Sequence, residues 1–160
     1  MMKRAGERVL VVVMALSDSR HTWSVAEPSL IKRTDFVFLP ITSFEKADEF
    51  YGGVLGLACS KRYDGGIGGE FETGSLTIQV VDVARIGRKF EPSTGAIALH
   101  VDDVEAARSE LESRGVIFHG ETMDSGVCFQ AFFEDQDGNA LILHHRYAPP
   151  EARPKPPPGS

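Results

Sequence analysis

The sequence predicts an α+β domain assembled from two copies of one β-α-β-β-β module, and three observations lead there. An apolar strand followed by an amphipathic helix occurs at Asp35-Phe-Val-Phe-Leu-Pro-Ile41 and again at Gly95-Ala-Ile-Ala-Leu-His-Val101. Each copy continues into short strands separated by glycine-bearing turns. The second copy closes on Phe132-Phe-Glu-Asp-Gln-Asp-Gly-Asn-Ala-Leu-Ile-Leu143. A module of this kind cannot bury its sheet alone, so the duplicate is expected to supply the missing cover.

In the first copy, Phe36, Phe38 and Pro40 alternate with Val37, Leu39 and Ile41. Both sets are apolar, which predicts a strand covered on both faces. A helix follows from a Thr42 or Ser43 cap, with Phe44, Ala47 and Tyr51 at helical spacing, and Gly52-Gly53 and Gly56 are expected to end it. Short strands are predicted near Ala58 to Tyr63, Gly69 to Thr73 and Leu76 to Asp82. The Asp64-Gly-Gly and Thr73-Gly-Ser turns separate them. The run Gly65-Gly-Ile-Gly-Gly69 leads into a strand instead of a helix, so it lacks a phosphate-binding helix terminus and reads as a flexible rim loop or lid.

In the second copy, Asp102 or Asp103 is expected to cap a helix through Arg114, with Val104, Ala107 and Leu111 buried and Gly115 as its stop. Strands near Val116 to His119, Val127 to Glu134 and Ala140 to Arg146 complete the module. Asp135-Gln-Asp-Gly138 reads as their last hairpin turn. His21 and His119 read as extension and loop residues. The domain is expected over 34–147, with modules at about 34–83 and 94–147. Residues 1–33 read as an amino-terminal extension and 148–160 as a disordered proline-rich tail. Met1 to Arg8 is basic and Val9 to Leu16 apolar, in outline a signal peptide. That apolar run is too short to span a bilayer, and Ser17-Asp-Ser-Arg-His21 is a poor cleavage site, so a cytoplasmic protein is expected.

Composition narrows the function. A formal net charge of −6 with scattered Lys and Arg leaves no basic stripe to neutralise phosphates, so no nucleic-acid partner is expected. No membrane partner is expected either. Cys59 and Cys128 form no CxxC pair and read as buried free thiols in strands of different halves.

The stretches Asp35 to Leu57, Gly95 to Gly115 and Phe132 to Leu143 together resemble the vicinal oxygen chelate superfamily, which includes glyoxalase I, extradiol dioxygenases and the bleomycin- and fosfomycin-resistance proteins. The resemblance spans about Asp35 to Tyr147, with Gln136 standing where the family usually has proline. It implies two modules set side by side as an open, cupped mixed sheet, and in metal-dependent members one ligand on each of four strands. Those positions carry over to Phe36, Gln79, Ala96 and Ile142. Of these side chains only Gln79 has a donor atom, so no catalytic metal and no other cofactor is expected.

The aromatic content points to a pocket. Phe36 and Phe38 replace the usual polar start of the first strand's inner face. With Thr77, Gln79, Ala96, Ile142 and His144 they are expected to line a ligand site for a flat or apolar small molecule. His144 and His100 are the candidates for acid-base work, His144 lying roughly 6 to 7 Å past Ile142 on the same face and His100 roughly 13 Å from Ala96. His145 should face the opposite side from His144. The expected function is reversible small-molecule binding of the drug-resistance type, in a homodimer as the resemblance implies. The alternatives are a metal-independent lyase or isomerase using His144 or His100 with Gln79, a metal-dependent glyoxalase or dioxygenase, and an interaction module with a filled cup.

Overall fold

The computed structural model describes residues 30, 31 and 33–149. In chain order they form β1 (Phe36–Ile41), α1 (Phe44–Ala47) with π-helical turns over Asp48–Val54, β2 (Ala58–Arg62), β3 (Gly68–Glu72), β4 (Thr77–Asp82), β5 (Ile97–His100), α2 (Val104–Ser113), β6 (Phe118–Asp124), β7 (Cys128–Glu134) and β8 (Ala140–Arg146). Two four-stranded sheets result, ordered β1-β4-β3-β2 and β5-β8-β7-β6. In each, the first strand runs parallel to the last and the remaining pairs are antiparallel. The module predicted twice is present twice. Most of the expected extension and tail falls outside the described residues. No helix among those described is long and apolar enough to cross a membrane.

Helix ends follow the local chemistry. Ser43, not Thr42, caps α1, its Oγ accepting from the Lys46 amide at 3.4 Å. Asp103 caps α2, accepting from the Ala106 amide at 3.0 Å. Gly115, at φ 91°, closes α2, and the Val116 amide reaches back to the Leu111 carbonyl. The first helix does not stop at Gly52-Gly53. It widens into π turns, with the Leu55 amide donating to the Phe50 carbonyl, and ends at Gly56, φ 72°. Two adjacent glycines loosen the backbone enough for the wider turn without breaking the helix.

Each helix covers one face of its own sheet, and the covered faces join in one core. Leu39, Ile41, Phe44, Tyr51, Phe71, Ile78 and Val80 from the first module meet Val104, Leu111, Ala131, Phe133, Leu141 and Leu143 from the second. Full burial of an aliphatic or aromatic side chain contributes roughly 1.5–3 kcal/mol, so this cluster is the main hold between the modules. The other face of β1 differs from expectation. Phe36 is 53% exposed and Phe38 40%, whereas Leu39 and Ile41 are buried. No described element packs on that apolar face, because both helices sit on the opposite side of their sheets.

The last hairpin is fastened across the module boundary by buried polar groups. Asp135 Oδ2 accepts from the Tyr51 hydroxyl at 2.8 Å and from Asn139 Nδ2 at 2.7 Å, while Oδ1 accepts from the amides of Asp137 and Asn139. Asn139 Nδ2 also reaches the Pro40 carbonyl at 2.8 Å, and its Oδ1 accepts from the Ser93 amide. Asp137 takes both the amide and the hydroxyl of Thr42. Strand β1 and helix α1 of the first module are thereby bonded to the β7–β8 turn of the second.

The turn contains one imperfection. The Gln136 Oε1 atom is buried with no hydrogen-bond partner. The Gly138 amide donates to the Asp135 carbonyl, which puts Gln136 at the second position of the β-turn, where proline's fixed φ is favoured. Gln136→Pro is therefore expected to stabilise the domain by about 0.5–1 kcal/mol, through a stiffer unfolded chain and removal of the orphaned acceptor. Thermal denaturation of the two proteins checks this, and a lower melting temperature for the variant contradicts it.

The glycine-rich run is a hydrogen-bonded turn that leads into β3. Asp64–Gly66 is a 3-10 turn, with the Tyr63 amide donating to the Gly68 carbonyl and Arg85 Nη1 donating to the Gly65 carbonyl at 2.6 Å. A Cβ on Gly68 would stand 2.2 Å from the Val80 carbonyl oxygen and 3.2 Å from the Tyr63 ring, so only glycine lets β3 approach β4 beneath that ring. Gly68→Ala is expected to cost at least about 1–3 kcal/mol, read by urea denaturation. An unchanged midpoint contradicts the close approach.

Candidate functional site

The open face of the first sheet combines exposed rings with an ordered row of polar groups. Ladder pairing sets Phe36 opposite Thr77 and Phe38 opposite Gln79. Across β3, Thr77 faces Glu72 and Gln79 faces Glu70. The Tyr63 hydroxyl donates to Glu70 Oε1 at 2.6 Å and accepts from Gln79 Nε2 at 2.6 Å. The hydroxyls of Ser60 and Thr77 both donate to Glu72, at 2.6 and 2.9 Å. Burial, then the bond to Glu70, raises the Tyr63 pKa above its ordinary value, so the hydroxyl keeps its proton. A shallow cleft of about 240 Å³ at the rim of this face has Glu72 and Thr77 in its lining, with Arg33 and Asp35 at its edge.

The open face of the second sheet carries Ile142 and His144 on β8. They pair with Ala98 and His100 on one side and with Phe132 and Gln130 on the other. Ala96 precedes β5 and has no ladder partner, so Ala98 takes the place beside Ile142 that the motif alignment gives to Ala96. The His100 ring lies against the His145 ring, centroids 5.8 Å apart, and its Nε2 is 3.8 Å from Asp102. His145 Nδ1 bonds the Val101 carbonyl at 3.0 Å. His119 lies in β6, with Nε2 3.5 Å from Glu134, and not in a loop. Cys128 is buried, whereas Cys59 is only half-buried; both are free.

A larger cavity lies elsewhere. It holds about 680 Å³ along the outer edge of β5, between α2, the end of the π turns and the β3–β4 turn. Leu55, Leu57, Leu76, Ile97, Leu99 and Leu111 give it an apolar wall. Of the ligand and acid-base residues predicted from sequence only His100 lines it. Phe36, Phe38, Thr77 and Gln79 come together on the first sheet, and Ile142 and His144 on the second.

Tyr63, Glu70 and Glu72 were not selected by sequence reasoning as site residues. Their signal is weak in sequence, because the link runs from the end of β2 across β3 to β4 and appears only once the register is known. The four positions inherited from metal-binding relatives do not fit a divalent cation: a benzyl group, an amide, a methyl and a sec-butyl group provide one donor side chain among them. Among the described residues no cluster of three or more His, Cys, Asp or Glu is placed to hold a metal ion.

Comparison with known proteins agrees with the fold. No curated protein sequence matches the chain. Among solved structures, the antibiotic-binding protein TnmS3 from Streptomyces sp. CB03234 is 25% identical with a TM-score of 0.61, covering 74% of this chain and 98% of its own. A superfamily member from Sphaerobacter thermophilus DSM 20745 is 23% identical with a TM-score of 0.62, covering 72% and 98%. Lactoylglutathione lyase from Agrobacterium tumefaciens is 19% identical with a TM-score of 0.60, covering 74% and 94%. The model of the Glyoxalase/Bleomycin resistance protein/Dioxygenase superfamily matches residues 33–143. With two β-α-β-β-β modules and that match over most of its length, the chain belongs to the Glyoxalase/Bleomycin resistance protein/Dioxygenase superfamily.

Proposed function

We propose that this protein reversibly binds a small, largely apolar or aromatic molecule on the open faces of its sheets, without a divalent metal, and works as a homodimer. The observation that supports this most is the uncovered apolar face of β1: two phenylalanines, 53% and 40% exposed, beside a pre-ordered polar row. Large exposed rings next to placed polar groups are the usual composition of a small-molecule site or an interface. A second copy would cover what the described residues leave open, and the ligand would lie between the copies. The likeness to an antibiotic-binding protein supports binding in preference to turnover. An acid-base enzyme draws less support, since His100 turns toward His145 and Asp102 while Gln79 belongs to the other sheet.

Calorimetric titration with a panel of planar aromatic antibiotics tests the reading, with sedimentation on the same samples. Saturable binding of at least one compound, recovered chemically unchanged from a dimeric protein, is the expected result. Chemical conversion of the bound compound, or no binding across the panel, contradicts it.

A further inference from the structure

The polar groups on the open face of the first sheet have an order that selects among ligands. A carboxylate can only accept hydrogen bonds. Glu70 accepts the hydrogen bond that the Tyr63 hydroxyl donates, so the Tyr63 oxygen can only accept from Gln79, which fixes the Gln79 amide with Nε2 toward Tyr63. Gln79 Oε1 is then the amide atom turned away from that chain. Glu72 accepts the hydrogen bonds donated by both Ser60 and Thr77, so those hydroxyl oxygens have only lone pairs left to offer. On the three strands β1, β4 and β3 the one side-chain donor left over is the second N–H of Gln79. Lys61, on the outermost strand, stands 3.9 Å from Glu70 and over the Tyr63 ring, and at the rim Arg33 is paired with Asp35. The face therefore offers acceptors and two carboxylates beside the rings of Phe36 and Phe38.

From this polarity we infer that the ligand of this face is a cationic arylalkylamine: a flat ring system for Phe36 and Phe38, carrying on an alkyl carbon an ammonium group whose N–H donors meet Gln79 Oε1 and the Glu72 and Glu70 carboxylates. An aromatic carboxylate of the same shape would set its oxygens against lone pairs and negative charge. The inference rests on the proposed use of this face as the binding site. It adds the class of ligand and gives Tyr63 a role as a positioning residue for Gln79.

Three probes that share one ring separate the two ideas: naphthylmethylamine, naphthalenemethanol and naphthoate, each titrated by NMR with the ring signals of Phe36 and Phe38 and the side-chain amide of Gln79 observed. The amine is expected to bind about tenfold or more tighter than naphthoate, with naphthalenemethanol between them, all three moving the Phe36 and Phe38 signals. In Tyr63→Phe the amide is free to rotate, and the amine-to-naphthoate ratio is expected to fall several-fold while the phenylalanine signals still respond. Naphthoate binding as tightly as the amine, with those signals moving, overturns the donor rule and leaves the site in place. Probes that bind but leave Phe36 and Phe38 unmoved overturn the site and the inference together, as does an absence of binding by all three. An unchanged ratio in Tyr63→Phe overturns the positioning role.

Discussion

Asp135→Ala is expected to lower stability by about 3–5 kcal/mol. Asp135 is 6% exposed and its carboxylate accepts four hydrogen bonds, from the Tyr51 hydroxyl, the Asn139 side chain and the amides of Asp137 and Asn139. Its loss leaves the hydroxyl of a fully buried tyrosine without its acceptor and the fully buried Asn139 amide with Pro40 alone, and it uncouples the turn from α1. Tyr51→Phe removes one of those bonds and is expected to cost less, about 1–2 kcal/mol. Urea unfolding of both variants measures the difference. Equal, small losses would contradict a shared buried network.

The same pair gives an alkaline signature. Burial first, then the Asp135 charge and hydrogen bond, raise the Tyr51 pKa above its ordinary value of 10.0. A hydroxyl that stays protonated when folded but ionises when unfolded contributes stability that is complete below about pH 10 and is lost as pH rises further. The loss is about 1.4 kcal/mol per pH unit while the folded hydroxyl holds its proton. Comparing wild type with Tyr51→Phe isolates this slope from other alkaline titrations, since the variant lacks it.

The second large effect is on binding. Phe36→Ser with Phe38→Ser is expected to weaken an aromatic ligand about 30-fold or more, because two ring contacts are lost at the centre of the proposed site. The same double variant is expected to change chain stability by only about 1 kcal/mol, since both residues are about half exposed and neither joins the core cluster. Calorimetry and urea unfolding on one preparation separate the two quantities. Loss of several kcal/mol of stability with binding intact would make these rings structural.

How much of this was legible in the sequence varied with how local each feature is. The strand-helix duplication, the Asp103 cap and the Gly115 stop depend on neighbouring residues and were read directly. The π turns through Gly52-Gly53 were not, because glycine pairs usually end helices and here α1 stays packed through Tyr51. Strand β6 was underestimated because Gly120, at φ 70°, reads as a turn, while the sheet absorbs it as a register shift between His119 and Met123. The doubly apolar pattern of β1 implied cover on both faces, but a pattern names the demand for cover and not its source. Tyr63, Glu70 and Gln79 meet only across three strands, and the cavity beside β5 is walled by segments far apart in the chain. Neither can be read from spacing.

Native mass spectrometry of the protein as purified, with elemental analysis of the same sample, bears most directly on the central claim that the open aromatic face binds an organic molecule without a metal. The account predicts a dimer with no stoichiometric divalent metal and a small aromatic molecule retained in wild type but absent from the Phe36→Ser, Phe38→Ser variant. One divalent ion per chain, lost when Gln79 is replaced by alanine, would contradict it.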